Sequence, residues 1–114
     1  MSIATEPRLV QKLEGAPWEI EGYLKVGGYE AWKRCVDGLK ADDVVAELKK
    51  AGLRGRGGAG FPTGMKWELL AKQRGDRGKF LVCNADESEP GSFKDRYLME
   101  YDPHALLEGM IIAG

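Results

Sequence analysis

Residues 52–67 read GLRGRGGAGFPTGMKW. The chain has sixteen glycines among 114 residues, about twice the ~7% norm, and Gly52, Gly55, Gly57, Gly58, Gly60 and Gly64 all fall in this one stretch. Such a loop, running into a helix predicted over Met65–Lys72, meets the physical requirements of an anion cradle. Glycine accepts positive φ and lets backbone amides come close to a phosphate, and the start of the following helix adds partial positive charge. Lys66 supplies a point charge in that first turn, and Phe61 a flat apolar face for stacking on a ring. The pattern is not a P-loop, because G-x-x-x-x-G-K-[ST] is absent. It is not the ordinary dinucleotide fingerprint either, since the loop follows a predicted helix instead of a strand. Two blander readings stay open at this point: a flexible glycine-rich linker, and an RGG-like nucleic-acid segment from Arg54–Gly58. The Phe61-Pro62 pair and the Arg54/Arg56 pair count against the first, and the overall charge against the second.

Upstream of the loop, Asp42 or Asp43 is placed to cap a helix whose Val44, Val45 and Leu48 share one face. Lys49 and Lys50 suit its C-terminal dipole, and Gly52 is expected to end it in the left-handed conformation. A short helix is expected over Tyr29–Val36, with Cys35 as a small core residue in preference to a reactive thiol. Residues 1–28, broken by Pro7, Gly15, Pro17, Gly22, Gly27 and Gly28, read as an irregular, partly extended arm anchored by Trp18, Ile20, Tyr23 and Leu24. Downstream, residues 73–78 form a turn, and residues 79–84 (KFLVCN) read as a compact strand opening into the acidic loop 85–91. A helix follows over Phe93–Glu100. Asp102 at the N-cap and Pro103 at the first position start a last helix, whose LLEGMIIA run is apolar nearly all round and so is expected to be buried on most sides. The alternation of elements predicts an α/β class, with an arm and helix over residues 1–40 and the first part of a larger α/β domain over 41–114, cut off within it.

A second candidate site lies at the end of the expected strand, where open α/β sheets bind ligands. Asn84 offers a donor and acceptors, and Asp86, Glu87 and Glu89 cluster three carboxylates. They suit ribose or ribityl hydroxyls, a nicotinamide amide or a metal; the bland alternative is a solvated acidic turn. Seventeen basic against eighteen acidic side chains, net charge −1, argue against a general nucleic-acid binder. No apolar run reaches the ~18 residues of a membrane span, and the N-terminus lacks the apolar stretch of a secretory signal, which makes a cytoplasmic location the default. Two cysteines and one histidine make neither a disulfide framework nor a four-ligand metal site, so no bound metal is expected.

Three blocks, GLRGRGGAGFPTGMKW at 52–67, LVCNADESEPGSFKDR at 81–96 and PHALLEGMIIAG at 103–114, together resemble the flavin-carrying, NADH-binding subunits of bacterial respiratory complex I. The diaphorase subunits of NAD-linked hydrogenases and formate dehydrogenases resemble them too. The likeness extends back through GYLKVGGYEAWKR at 22–34. It implies a Rossmann-like domain holding FMN, on which NADH stacks for hydride transfer, with electrons passed to iron–sulfur clusters and on to quinone. By position it implies that Gly55, Arg56, Gly57 and Lys66 line the flavin phosphate and that Gly58, Ala59, Gly60 and Phe61 meet NADH, with Phe61 against the adenine. Asn84, Asp86 and Glu87 would hold the flavin, and Glu89 would sit by the reacting ring edge and the nicotinamide without acid–base work. At Leu69, where some members carry a second aromatic, this chain is aliphatic, which predicts weaker adenine stacking. The family's [4Fe–4S] cysteine cluster has no counterpart in these residues. Implied partners are the small [2Fe–2S] subunit and the large iron–sulfur subunit of the peripheral arm, with peripheral attachment to the inner membrane and no insertion into it. A diaphorase subunit and a non-catalytic docking fragment remain as alternatives.

Overall fold

The computed structural model describes residues 17–114. Its elements are α1 (Ile20–Lys25), α2 (Glu30–Val36), α3 (Ala41–Ala51), α4 (Thr63–Lys72), α5 (Lys94–Tyr101) and α6 (Pro103–Ala113). The chain divides into two compact units. One is Arg34–Lys79; the other joins Met1–Lys33 to Phe80–Gly114. Among the described residues no strand forms, and the single β pairing is an isolated antiparallel bridge between Arg54 and Pro62. The expected strand over 79–84 is therefore absent, and an α/β architecture is not what these residues build by themselves. The reason is elementary: a strand exists through hydrogen bonds to a neighbouring strand, and none runs beside 79–84. Phe80 and Val82 are 83% and 80% exposed.

The unit Arg34–Lys79 is a helical hairpin. Gly52 ends α3 at φ 65°, ψ 25°, its N–H donating to Lys49 O, as the sequence predicts. At the other end Asp43 caps from inside the first turn, its carboxylate accepting the Lys40 N–H at 3.0 Å. The start of α4 packs against the second half of α3: a Cβ on Gly64 would stand 2.8 Å from Lys49 N and 3.2 Å from Val45 O. Ala71 and Lys72, at the far end of α4, share a groove with Asp42, Val45 and Ala46, so the two helices run in opposite directions. Lys49 and Lys72 both reach Glu68, at 2.8 and 3.2 Å. Lys79 closes the C-terminus of α4 by donating to Ala71 O at 3.0 Å.

The other unit is centred on Tyr23, 2% exposed. Here the expectation of an irregular arm through residue 28 is corrected: Ile20–Lys25 is helical, while residues 1–16 lie outside the described part. The surprise is α6. Its buried residue is Glu108, whereas Leu107 and Ile111 are 47% and 49% exposed, so the apolar helix is not covered on most sides. The Glu108 carboxylate accepts the N–H of Tyr29 at 3.0 Å and of Trp32 at 3.1 Å, satisfying orphan amides at the start of α2, and also accepts the Tyr23 hydroxyl. Tyr23 stacks on His104 with ring centroids 5.5 Å apart, and the Tyr29 hydroxyl meets His104 Nδ1 at 2.9 Å. This arrangement needs Gly28, where a Cβ would lie 2.0 Å from the Tyr23 ring. Burial, with the Glu108 carboxylate second, pushes the Tyr23 phenol far above the ordinary tyrosine value. Asp102, buried, stands at the N-cap of α6 with Pro103 at the helix start, as expected, although its side chain makes no cap hydrogen bond.

Candidate functional site

The glycine loop is the connection of the α3–α4 hairpin, and its neck is closed. Gly55 N–H donates to Phe61 O and Thr63 N–H to Leu53 O, both at 2.9 Å. The Arg54 guanidinium adds a third tie, Nη1 to Gly60 O at 3.0 Å. A free linker has no such ties, so the linker reading fails on geometry. Within the neck the tip 56–60 is exposed or nearly so. Gly58 and Gly60 stand at φ 117° and 63°, and a Cβ at Gly57, Gly58 or Gly60 would meet nothing within 4 Å. Those glycines are there for backbone conformation and open space.

The main-chain amides of Arg56, Gly57, Gly58, Ala59, Gly60 and Phe61 find no acceptor among the described residues. An unpaired run of N–H donors in a glycine-rich turn, leading to a helix N-terminus with no side-chain cap, offers donors of the kind that anions accept. Lys66 in the first turn of α4 is exposed and without an ion-pair partner among the described residues, as is Arg56. Phe61 is 45% exposed at the rim. The structure thus gathers Gly55, Arg56, Gly57, Gly58, Ala59, Gly60, Phe61 and Lys66 on one loop and one helix start. The residues fit a phosphate-bearing ligand such as FMN.

Asn84, Asp86, Glu87 and Glu89 belong to the other unit. The Asn84 side chain accepts the Asp86 N–H at 3.0 Å, and Ser88 Oγ donates to Asp86 at 2.6 Å, a self-supporting Asx turn. Glu87 turns inward, its side chain 14% exposed. Its two oxygens accept the N–H of Asp95 at 2.8 Å and of Arg96 at 3.1 Å, so it caps α5 from the preceding loop. Glu89 is exposed, and its carbonyl accepts Ser92 N–H. The three carboxylates do not converge as metal ligands: among the described residues no group of three His, Cys, Asp or Glu side chains is placed to hold an ion.

Three features lie outside the sequence expectations. Arg54 ties the loop, and its only signal in the sequence is its place at the edge of the glycine run. Gly64 serves packing, not the cradle. Glu108 stands out in the sequence as the one charge inside LLEGMII, a residue type almost never buried without partners.

Comparison with known proteins accords with this geometry. The chain is 50% identical to the F subunit of the NADH-quinone oxidoreductase of Salmonella typhimurium over 97 residues, 85% of this chain and 22% of the relative. It is similarly 50% identical to the protein of that name in Escherichia coli over 97 residues and in Aquifex aeolicus over 94. The chain thus spans about a fifth of the length of these curated relatives. The family described as the Nuo51 FMN-binding domain matches residues 48–114, from the last turn of α3 through the loop and α6. With more than half of its length covered by that match, the chain belongs to the family of the Nuo51 FMN-binding domain.

Proposed function

We propose that this chain supplies the first part of the flavin and NADH pocket of an NADH dehydrogenase module of complex I. The observation that carries the reading is the pinned glycine loop, whose tip amides have no acceptor among the described residues and which lies inside the region matched to an FMN-binding domain. The amides of Arg56 and Gly57, with the Gly55 backbone and the Arg56 and Lys66 side chains, line the flavin phosphate; Gly58–Phe61 take NADH, with Phe61 stacked against the adenine. Bound FMN supplies the hydride acceptance and the conversion to single-electron transfer. The chain's own residues bind and align. Asn84 and Asp86 present polar groups to the flavin from a turn that is already ordered, and Glu87 joins them while capping α5. The exposed Glu89 carboxylate accepts a hydrogen bond from the nicotinamide amide. Residues 41–114, from the first residue of α3, are the start of a Rossmann-like FMN and NADH domain preceded by an arm and helix over 1–40. In the complete domain, residues 79–84 pair as a strand. The iron–sulfur subunits of the peripheral arm receive the electrons, on the cytoplasmic side of the inner membrane. Among the described residues no helix is long and apolar enough to cross a membrane, consistent with attachment through partner subunits.

The test is direct. Full-length protein carrying this chain is purified, its flavin content read from the visible spectrum, and NADH oxidation followed with ferricyanide as acceptor. The reading predicts stoichiometric FMN and NADH-dependent turnover that stops on flavin extraction. A colourless protein that takes up no FMN on reconstitution would refute it.

A further inference from the structure

The most informative unexplained contact is the one between Arg54 and Gly60. The loop neck is already closed by two backbone hydrogen bonds, Gly55 N–H to Phe61 O and Thr63 N–H to Leu53 O. A third tie from a long, exposed side chain adds little to closure. What it does fix is a peptide orientation. The Gly60 carbonyl oxygen accepts from Arg54 Nη1 at 3.0 Å. Because the peptide is planar and trans, the N–H of the same unit, that of Phe61, must point the opposite way. Gly60 sits at φ 63° and has no Cβ to resist a change of its ψ, so this peptide is open to a flip. A flip would replace the Phe61 donor with a carbonyl oxygen beside a run of amides that otherwise offers only donors.

We propose that Arg54 is a positioning residue for the cradle: its guanidinium locks the Gly60–Phe61 peptide so that the Phe61 N–H, with the amides of the loop tip, is presented to an anionic ligand. The inference rests on the reading of the loop as a phosphate and dinucleotide cradle. Arg54 does not touch the ligand in this account; it removes the unfavourable conformer before the ligand arrives, and affinity rises because ordering is already done.

The experiment compares Arg54→Ala with the parent in the full-length protein, with uniform ¹⁵N labelling. Loss of the tie is expected to lower the heteronuclear NOE of the Phe61 amide in the ligand-free state while that of Gly64, held against α3, is unchanged. Removing one hydrogen bond of ordinary strength predicts FMN affinity weakened about three- to tenfold. That loss persists at high salt, because the lost contribution is conformational, and the melting temperature of the ligand-free protein stays where it was. An unaltered Phe61 amide signal, unaltered affinity, or a large fall in the ligand-free melting temperature overturns the proposal. So does an affinity loss that vanishes at high salt, since Arg54 would then act as a charge on the ligand. If the parent itself takes no FMN, the cradle reading fails, and the Phe61 amide signal still decides whether the lock exists.

Discussion

Gly58 and Gly64 are neighbours in sequence with unrelated duties. Gly58, at φ 117° with open space around it, has no packing to lose. Gly58→Val is expected to cost about 1–3 kcal/mol, the strain of a branched side chain at positive φ, with no packing loss beside it, and to weaken FMN binding at least about tenfold, or about 1.4 kcal/mol. Gly64→Ala is expected to leave FMN binding nearly unchanged and to act on packing alone. Its Cβ would run into backbone of α3, at Lys49 N and Val45 O, and neither can step aside, so overpacking should cost about 1–3 kcal/mol. Urea unfolding and flavin titration of both variants check the contrast. Tyr23 supplies a third residue-scale test. Its phenol pKa is raised in the fold, so the stabilisation is complete below the ordinary tyrosine value of about 10 and is lost as pH rises through the folded value. Absorbance titration should find Tyr23 still protonated when ordinary tyrosines ionise, and Tyr23→Phe should remove that late step. The glycine loop is legible in the sequence because its function is local: backbone conformation is encoded by residue type. Glu108 is harder to place, because its partners Tyr23, Tyr29 and Trp32 are far away in sequence.

Among elements, the helices are most readable where their ends carry their own signals. Gly52 stops α3 in the predicted conformation, and Pro103 opens α6. The stretch 79–84 departs from expectation for the opposite reason. A compact apolar run describes what a strand would bury, but the hydrogen bonds that make it one come from another segment. The α3–α4 pair has a further tie in Glu68, whose carboxyl is held below the usual range by hydrogen bonds from Lys49 and then Lys72. A depressed folded pKa means that this contribution is present above the unfolded carboxylate value, about 4.3, and drains away as pH falls through the folded one. Glu68→Gln should therefore flatten the stability difference between neutral and acidic pH, with little loss at the acidic end. Denaturation midpoints at three pH values suffice. An unchanged profile would show that the triad contributes nothing.

At the scale of the molecule, the near-neutral net charge conceals an unequal division. The unit Arg34–Lys79 holds eleven basic and six acidic side chains, and the rest of the chain six basic and twelve acidic. The glycine loop thus sits in a unit whose field favours anions. Exposed apolar side chains also accumulate, with Phe80, Val82, Leu107 and Ile111 among them. Patches of this kind mark surfaces meant to be covered. Expressed as residues 1–114 alone, the protein should bind the dye ANS and hold FMN at least about tenfold more weakly than the full-length form; tight stoichiometric flavin binding by the piece would contradict this. Such global properties are only partly legible in the sequence, since the charge division needs the fold to say which residues belong together. The closed neck at Arg54–Pro62 has one more consequence. Because the hairpin is stapled below the tip, the residues above it can be exchanged without asking the helices to refold, and the distance between the tip's ends stays constant through the exchange. If the loop binds an anion as proposed, ligand choice and fold are in that sense inherited separately: substitutions at 56–60 change the tip while the α3–α4 scaffold is left intact. The loop can be treated as a cassette, to be varied by library or moved onto another antiparallel helix pair of the same spacing.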